Sequence, residues 1–169
     1  SRILLKFDVT ASSDSILSDR NSGAIAASGN VEFWLRLYNA RHGQTLPKDF
    51  TVDVAPVEVP WSEGTGLDME SYKDKGSSNW ASRLSSSAGE IAWTTEGGDF
   101  SGDPDTSWTA SFSDGTEDLL LDISYLVEKW IAGSRADEGV GVLLSSQYST
   151  DERSYYTKKF FARGSEFFY

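Results

Sequence analysis

"VEFWLRLY", residues 31–38, sets Val31, Phe33, Leu35 and Leu37 in strict alternation with Glu32, Trp34, Arg36 and Tyr38. A period of two sends successive side chains to opposite faces, so the stretch reads as a strand with one apolar and one mixed face. The same rhythm opens the chain. In "RILLKFDV", residues 2–9, Ile3, Leu5, Phe7 and Val9 alternate with Arg2, Lys6 and Asp8, and Leu4 alone breaks the pattern. "FTVDVAPVEV", residues 50–59, points Val52 and Val54 inward. After Pro56 the inward set moves to Val57 and Val59, a shift that calls for a bulge or an edge position.

Further strands are expected at "EIAWT" (90–94), "SWTASF" (107–112), "GVGVLLSS" (139–146) and "SYYTKKFFAR" (154–163). "DLLLDI" (118–123) is expected to be a buried strand. The serine- and glycine-rich run from Thr10 to Asn30 reads as a connection in which Ile16, Leu17, Ala24 and Ile25 add a short covering turn. One segment departs from the pattern. "SYLVEKWIAG" spaces Leu126, Val127, Trp130 and Ile131 on one helical stripe, with Asp122 or Ser124 to cap it and Gly133 to end it. The expected fold is therefore all-β, an antiparallel sandwich with one short helix near 123–132.

The 169 residues fit one domain, and neither a repeat nor a linker divides them. The core is expected to rest on few, large side chains, because 38% of residues are hydrophobic and 13% aromatic. A formal net charge of -11 argues against nucleic acid and against anionic membranes as partners, since phosphate binding needs a basic surface. Between Arg83 and Lys129 there is no basic residue, and the many acids there read as a solvated face. The chain has no cysteine, so disulfides and thiol chemistry are excluded. It begins at Ser1 and ends at "RGSEFFY", which reads as a piece of a longer polypeptide.

Between Trp61 and Trp80 lies "WSEGTGLDMESYKDKGSSNW", with neither a helical nor a strand period. Two indoles bury too much apolar area to be left drifting in solvent, so the stretch is not read as disorder. It holds Asp68, Glu70, Tyr72 and Asp74. Tyr72 can stack on a sugar ring while Asp68 and its neighbours accept hydrogen bonds from hydroxyls. Trp34, Arg36 and Tyr38 form a second candidate ligand platform, or a face covered by another subunit. Asp99, Asp103 and Asp105 in "GGDFSGDPD" supply hard oxygens that suit a structural calcium, although calcium takes six to eight ligands and the spacing is not that of an EF-hand. No other cofactor is expected.

His42 is the only histidine and has no nucleophile pattern beside it. There is no GxSxG, HExxH or phosphate-cradling loop, so catalysis is not expected. Arg153, Lys158, Lys159 and Arg163 form the one basic stretch. They read as charge balance and as edge lysines that discourage stray strand pairing.

Taken in order, "RILLKFDV", Trp61 with "SEGTG", Asn79–Trp80, "IAWTTEGGDF" (91–100), "LLLDISYLVEKWIAG" (119–133) and "YYTKKFFAR" resemble DNRLRE-type domains. These are jelly-roll sandwiches grouped with carbohydrate-binding modules. The likeness covers almost the whole chain, and it is nearest to the version carried by structural and appendage proteins of tailed bacteriophages. It implies a non-catalytic virion module, homo-oligomeric and in contact with other virion chains, and able to bind polysaccharide. The alternative it allows is a carbohydrate-binding module of a bacterial secreted or surface protein. The family often adds a charged turn and a final strand after the lysine-rich one. This chain stops at Tyr169, so that strand would lie outside this piece or come from a neighbouring chain. The resemblance also implies that Trp61 and Trp80 both anchor the loop between them to the sandwich, which pins the loop at its ends.

Overall fold

The computed structural model describes residues 2–63, 76–86, 88–145 and 157–162. The fold is all-β and antiparallel. Four strands form the principal sheet: β1 (Arg2–Leu5), β3 (Phe50–Pro56), β6 (Trp108–Phe112) and β8 (Val140–Leu144), in the order β1-β8-β3-β6. β2 (Trp34–Leu37) pairs with β7 (Leu119–Asp122), and β4 (Ser82–Ser86) forms a hairpin with β5 (Gly89–Ala92).

The main core lies between the four-stranded sheet and the β2–β7 ribbon. Val52, Val54, Phe112, Val140 and Val142 face Leu35 and Leu119 across it. One end is closed by helix α2 (Ser124–Ile131), whose Leu126, Val127 and Trp130 are buried as the helical stripe predicts. Gly133, at φ +67, ends that helix. At its start Ile123 occupies the cap position, and the carboxylate of Asp122, one of the two expected caps, accepts the Ser124 N–H of the first turn at 2.9 Å. Phe50 stacks on Phe112 with centroids 4.9 Å apart, and Phe160 tilts against the same ring at 6.4 Å.

A second core occupies the back of the four-stranded sheet. Gly141 points away from the main core, between inward-facing Val140 and Val142. The ring of Phe100 lies over it so closely that a Cβ there would meet the ring at 2.1 Å. Val57, Trp61 and Trp93 complete this cluster, with Leu4 packed against it. This explains the odd Leu4 in β1: Leu5 serves one core and Leu4 the other. It also corrects the reading of β3. That strand is central, between β8 and β6, and there is no edge or bulge at Pro56. The shift of parity arises because Val57 packs into the second core rather than the main one, bridging to Phe100 while its N–H still bonds the Gly139 carbonyl at 3.0 Å.

Other expectations also give way. β1 ends at Leu5, so Phe7 lies beyond it and is exposed, as is Ile3. β7 is half-buried rather than buried, because Leu120 turns outward and is 54% exposed. A second helix, α1 (Ile16–Ser22), stands where a covering turn was expected. The Ser15 hydroxyl accepts the Ser18 N–H at its start, and Gly23 at φ +81 ends it. α1 is held to α2 by a two-pronged contact of Arg20 with Glu128, at 2.7 and 3.1 Å.

The acids between Arg83 and Lys129 do more than face water. Asp99 accepts the N–H groups of Thr94 and Thr95, Glu117 those of Ser113 and Asp114, and Asp118 that of Asn39. Each carboxyl is held below its ordinary value. For Glu117 and Asp118 a backbone N–H is the largest cause, and for Asp99 burial, the largest single influence, is outweighed by the Thr94 and Thr95 amides together with the Thr94 hydroxyl and Arg83. Among the described residues no helix is long and apolar enough to cross a membrane.

Candidate functional site

Where the chain leaves β3 it runs through Val57 and Val59 to Trp61, whose indole is 8% exposed. The Trp61 N–H donates to the Glu138 carbonyl at 2.8 Å, which satisfies its one polar atom. Trp61 is thus the anchor expected of it. Trp80 is not: it is 53% exposed. The second indole buried in this cluster is Trp93, whose N–H donates to the Asn79 carbonyl at 2.8 Å. The Asn79 side-chain oxygen accepts the N–H groups of Ala81 and Ser82, a tight local turn that lifts Trp80 out over the surface.

Two contacts hold the exposed Trp80 ring. The Arg2 guanidinium stands 4.9 Å from its centroid and 5.3 Å from that of Phe100. Gly97 donates its N–H to the Trp80 carbonyl at 2.6 Å. With φ at +86, Gly97 has a hydrogen where any other residue would place a Cβ 2.8 Å from the indole. The turn carrying Gly97 is the one the Asp99 carboxylate fastens.

Between these groups lies a cleft of about 330 Å³, lined by Arg2, Trp61, Glu63, Asn79, Trp80 and Trp93 among others. Indole faces beside a guanidinium, an amide and a carboxylate suit a ligand with one apolar face and a rim of hydroxyls. A larger hollow of about 440 Å³ lies by Glu58, Lys129 and Arg135. Its charges already satisfy one another: Arg135 meets Glu58 at 3.0 Å, and Asp103 lies 3.7 Å from both Lys129 and Arg135. Each of these charged groups already has an opposite charge beside it. The aromatic cleft is therefore the stronger candidate.

Trp34, Arg36 and Tyr38 do share an outer face. Trp34 is 52% exposed with its N–H on Glu32 at 3.0 Å, and the Arg36 guanidinium lies 4.4 Å from the Tyr38 centroid and 3.2 Å from Asp118. Leu120 stands directly opposite Arg36 on β7. Tyr72, Asp68, Glu70 and Asp74 fall outside the described residues, as do Arg153 and Arg163.

Asp99, Asp103 and Asp105 do not gather around a common point. Asp99 closes the turn at 94–99, whereas Asp103 caps a 3-10 turn (Pro104–Thr106) by accepting the Asp105 N–H at 3.1 Å. Among the described residues no three such groups are placed to hold a metal ion. His42 takes part in its own loop, its Nδ1 accepting the Gln44 N–H at 3.2 Å.

Two groups escaped the reading of the sequence. Arg2 looked like the polar side of a strand, and only the fold brings it to Trp80. Lys158 looked like an edge lysine in water. Instead its ammonium donates to Asn39 Oδ1 at 2.7 Å and to the carbonyls of Gly115 at 3.0 Å and Glu117 at 2.5 Å. It also lies within 5.0 Å of the Phe112 and Phe160 rings. Burial pulls its pKa down, against the pull of Glu117 and Asp118. No family model, no curated protein and no solved structure matches this chain.

Proposed function

We propose that this chain is a non-catalytic binding module that docks on polysaccharide through the Trp80 cleft, in an appendage or structural protein of a tailed-phage particle. The observation that carries the binding half is the exposed Trp80 ring. A large indole, half in water and braced by Arg2 and Gly97, costs exposed apolar area that a ligand would cover. Glu63, Asn79 and Arg2 stand beside it to meet hydroxyls.

The particle half, and with it jelly-roll connectivity and a virion location, rests on the ordered likeness to DNRLRE-type domains. The outer face of the β2–β7 ribbon supports a companion reading. Trp34 and Leu120, both more than half exposed on one face, suit a contact with another copy or another particle chain. A glycan array with the isolated chain tests the binding half. Saturable binding lost in Trp80→Ala and retained in Trp34→Ala supports the cleft. Loss in Trp34→Ala alone moves the site to the ribbon face, and release of shortened sugars would replace binding with catalysis.

A further inference from the structure

Residues 137–139, between α2 and β8, tie together three parts of the molecule. Gly139, at φ +79, is pressed so hard on β1 that a Cβ would lie 2.0 Å from the Leu5 carbonyl oxygen. Its own carbonyl accepts the Val57 N–H at 3.0 Å. Glu138 accepts the Trp61 indole N–H on its carbonyl at 2.8 Å, and pairs with Lys6 at 2.9 Å through its carboxylate. Asp137 completes the set by accepting the Val9 N–H on Oδ2 at 3.2 Å. Its other oxygen, Oδ1, is buried and finds no partner among the described residues.

A buried carboxylate oxygen without a donor disfavours the charged form. Burial accordingly raises Asp137 above its ordinary value, although the Val9 and Gly139 amides and Lys6 pull the other way, and Glu138 adds to the rise. The carboxyls of Asp8, Asp99, Asp103, Glu117, Asp118, Asp122 and Glu128 all move down instead. Other nearby charges are engaged elsewhere. Asp8 faces the Ala11 and Ser12 amides, and Arg135 faces Glu58 and Thr106.

We infer that Asp137 is a proton-operated catch on the Trp61 wall of the aromatic cleft. With a proton on Oδ1, the turn seats against β1 and holds the Trp61 indole through Glu138. Without it, a charge sits in a poorly solvated place beside the Glu138 carboxylate, and the turn relieves that by opening to water. Because the folded group binds its proton more tightly than the unfolded one, its contribution is complete below the ordinary carboxylate range. That contribution is lost as pH rises through the folded value. The catch therefore closes in acid.

The consequence for a ligand rests on the cleft being a binding site, but the catch itself is measured without any ligand. The indole N–H of Trp61 reports it by hydrogen exchange, as protection corrected for the intrinsic rate at each pH. Protection is expected to rise severalfold as pH falls from about 8 into the acid range, with a midpoint above the ordinary carboxylate value of 3.8. Asp137→Asn is expected to be pH-independent over that window and as protected as the acid form. Glu138→Gln removes the neighbouring charge, so it keeps the response with a lower midpoint. Constant Trp61 protection in the wild type would overturn the inference, as would a response that survives in Asp137→Asn. Should Asp137→Asn fail to fold, an unmoved midpoint in Glu138→Gln overturns it instead. Absence of glycan binding at both ends of that pH range would strike the function proposed above and leave the catch standing.

Discussion

Replacing Gly97 by alanine separates the brace around Trp80 from ordinary backbone strain. The added Cβ would lie 2.7 Å from Arg2 Nη1, 2.9 Å from Arg2 Cζ and 2.8 Å from the edge of the indole, each inside normal contact. The Arg2 head is the end of a flexible chain and yields at little cost. The indole is rigid, with its backbone tied through Gly97 itself, so it must rotate as a unit. Backbone strain adds to this, because φ is +86 and the left-handed region costs a residue with a Cβ about 1 kcal/mol. With displacement of the ring the total comes to roughly 1–2 kcal/mol, or a fall in Tm of about 2–8 °C for a chain of this size. Gly29→Ala is the control, since φ there is +83 but a Cβ meets nothing within 4 Å. It is expected to show only the backbone part. The excess in Gly97→Ala, measured by thermal unfolding, is the contact. Glycan affinity in Gly97→Ala is expected to fall about 30-fold, the loss of roughly 2 kcal/mol that a central tryptophan contributes. Equal Tm values in the two variants, together with unchanged affinity, would refute the brace.

Lys158→Met keeps the length of the stem but leaves Asn39 and the carbonyls of Gly115 and Glu117 without their donor. Urea unfolding is expected to register a loss of about 1–3 kcal/mol, and an unchanged midpoint would count against the clasp. Glu117 titrates at about 2 instead of 4.5, chiefly because of the Asp114 amide. A lowered carboxyl contributes stability above its unfolded value and loses it as pH falls through the folded one. Acid unfolding followed from 4.5 down to about 2 is therefore expected to be shallower in Glu117→Gln than in the wild type. Trp34→Ala combined with Leu120→Ser is expected to leave Tm within about 0.5 kcal/mol equivalent, as exposed positions do. Analytical ultracentrifugation is expected to show self-association of the wild type that the same pair abolishes, and association that persists in the pair would place the contact elsewhere.

Much of the sheet was legible because period two needs only one residue of memory. β2 turns Leu35 in and Trp34 and Arg36 out, as the alternation requires. α2 was equally plain, since Leu126, Val127 and Trp130 mark a helical stripe and Gly133 its stop. What failed depends on partners distant in sequence. β1 is legible as a strand, but its alternation does not show that Leu4, the one break in it, serves a second core behind the sheet. β4, "SRLSS", carries one large apolar residue and gives almost no hydrophobic signal. α1 left a trace in the spacing of Ser15 and Gly23, but its serine-rich body hides the helical period.

The cleft was half legible. Two tryptophans flanking an irregular loop marked the region, yet the sequence could not tell which indole would be buried. Trp93 takes the place expected of Trp80 because the Asn79 turn, not hydrophobicity, decides which ring points inward. Arg2 reaches the site from the far end of the chain, 94 residues from the Glu96 carbonyl it touches. No local pattern records that.

Lys158 also imposes a sequence in time. Its ammonium fills the carbonyls of Gly115 and Glu117, which were made 43 and 41 residues earlier. During synthesis those two oxygens must wait in water until the late segment arrives. The finishing of an early turn is thus entrusted to a late residue, and nascent chains halted before position 158 should leave the ribosome with that corner unsealed.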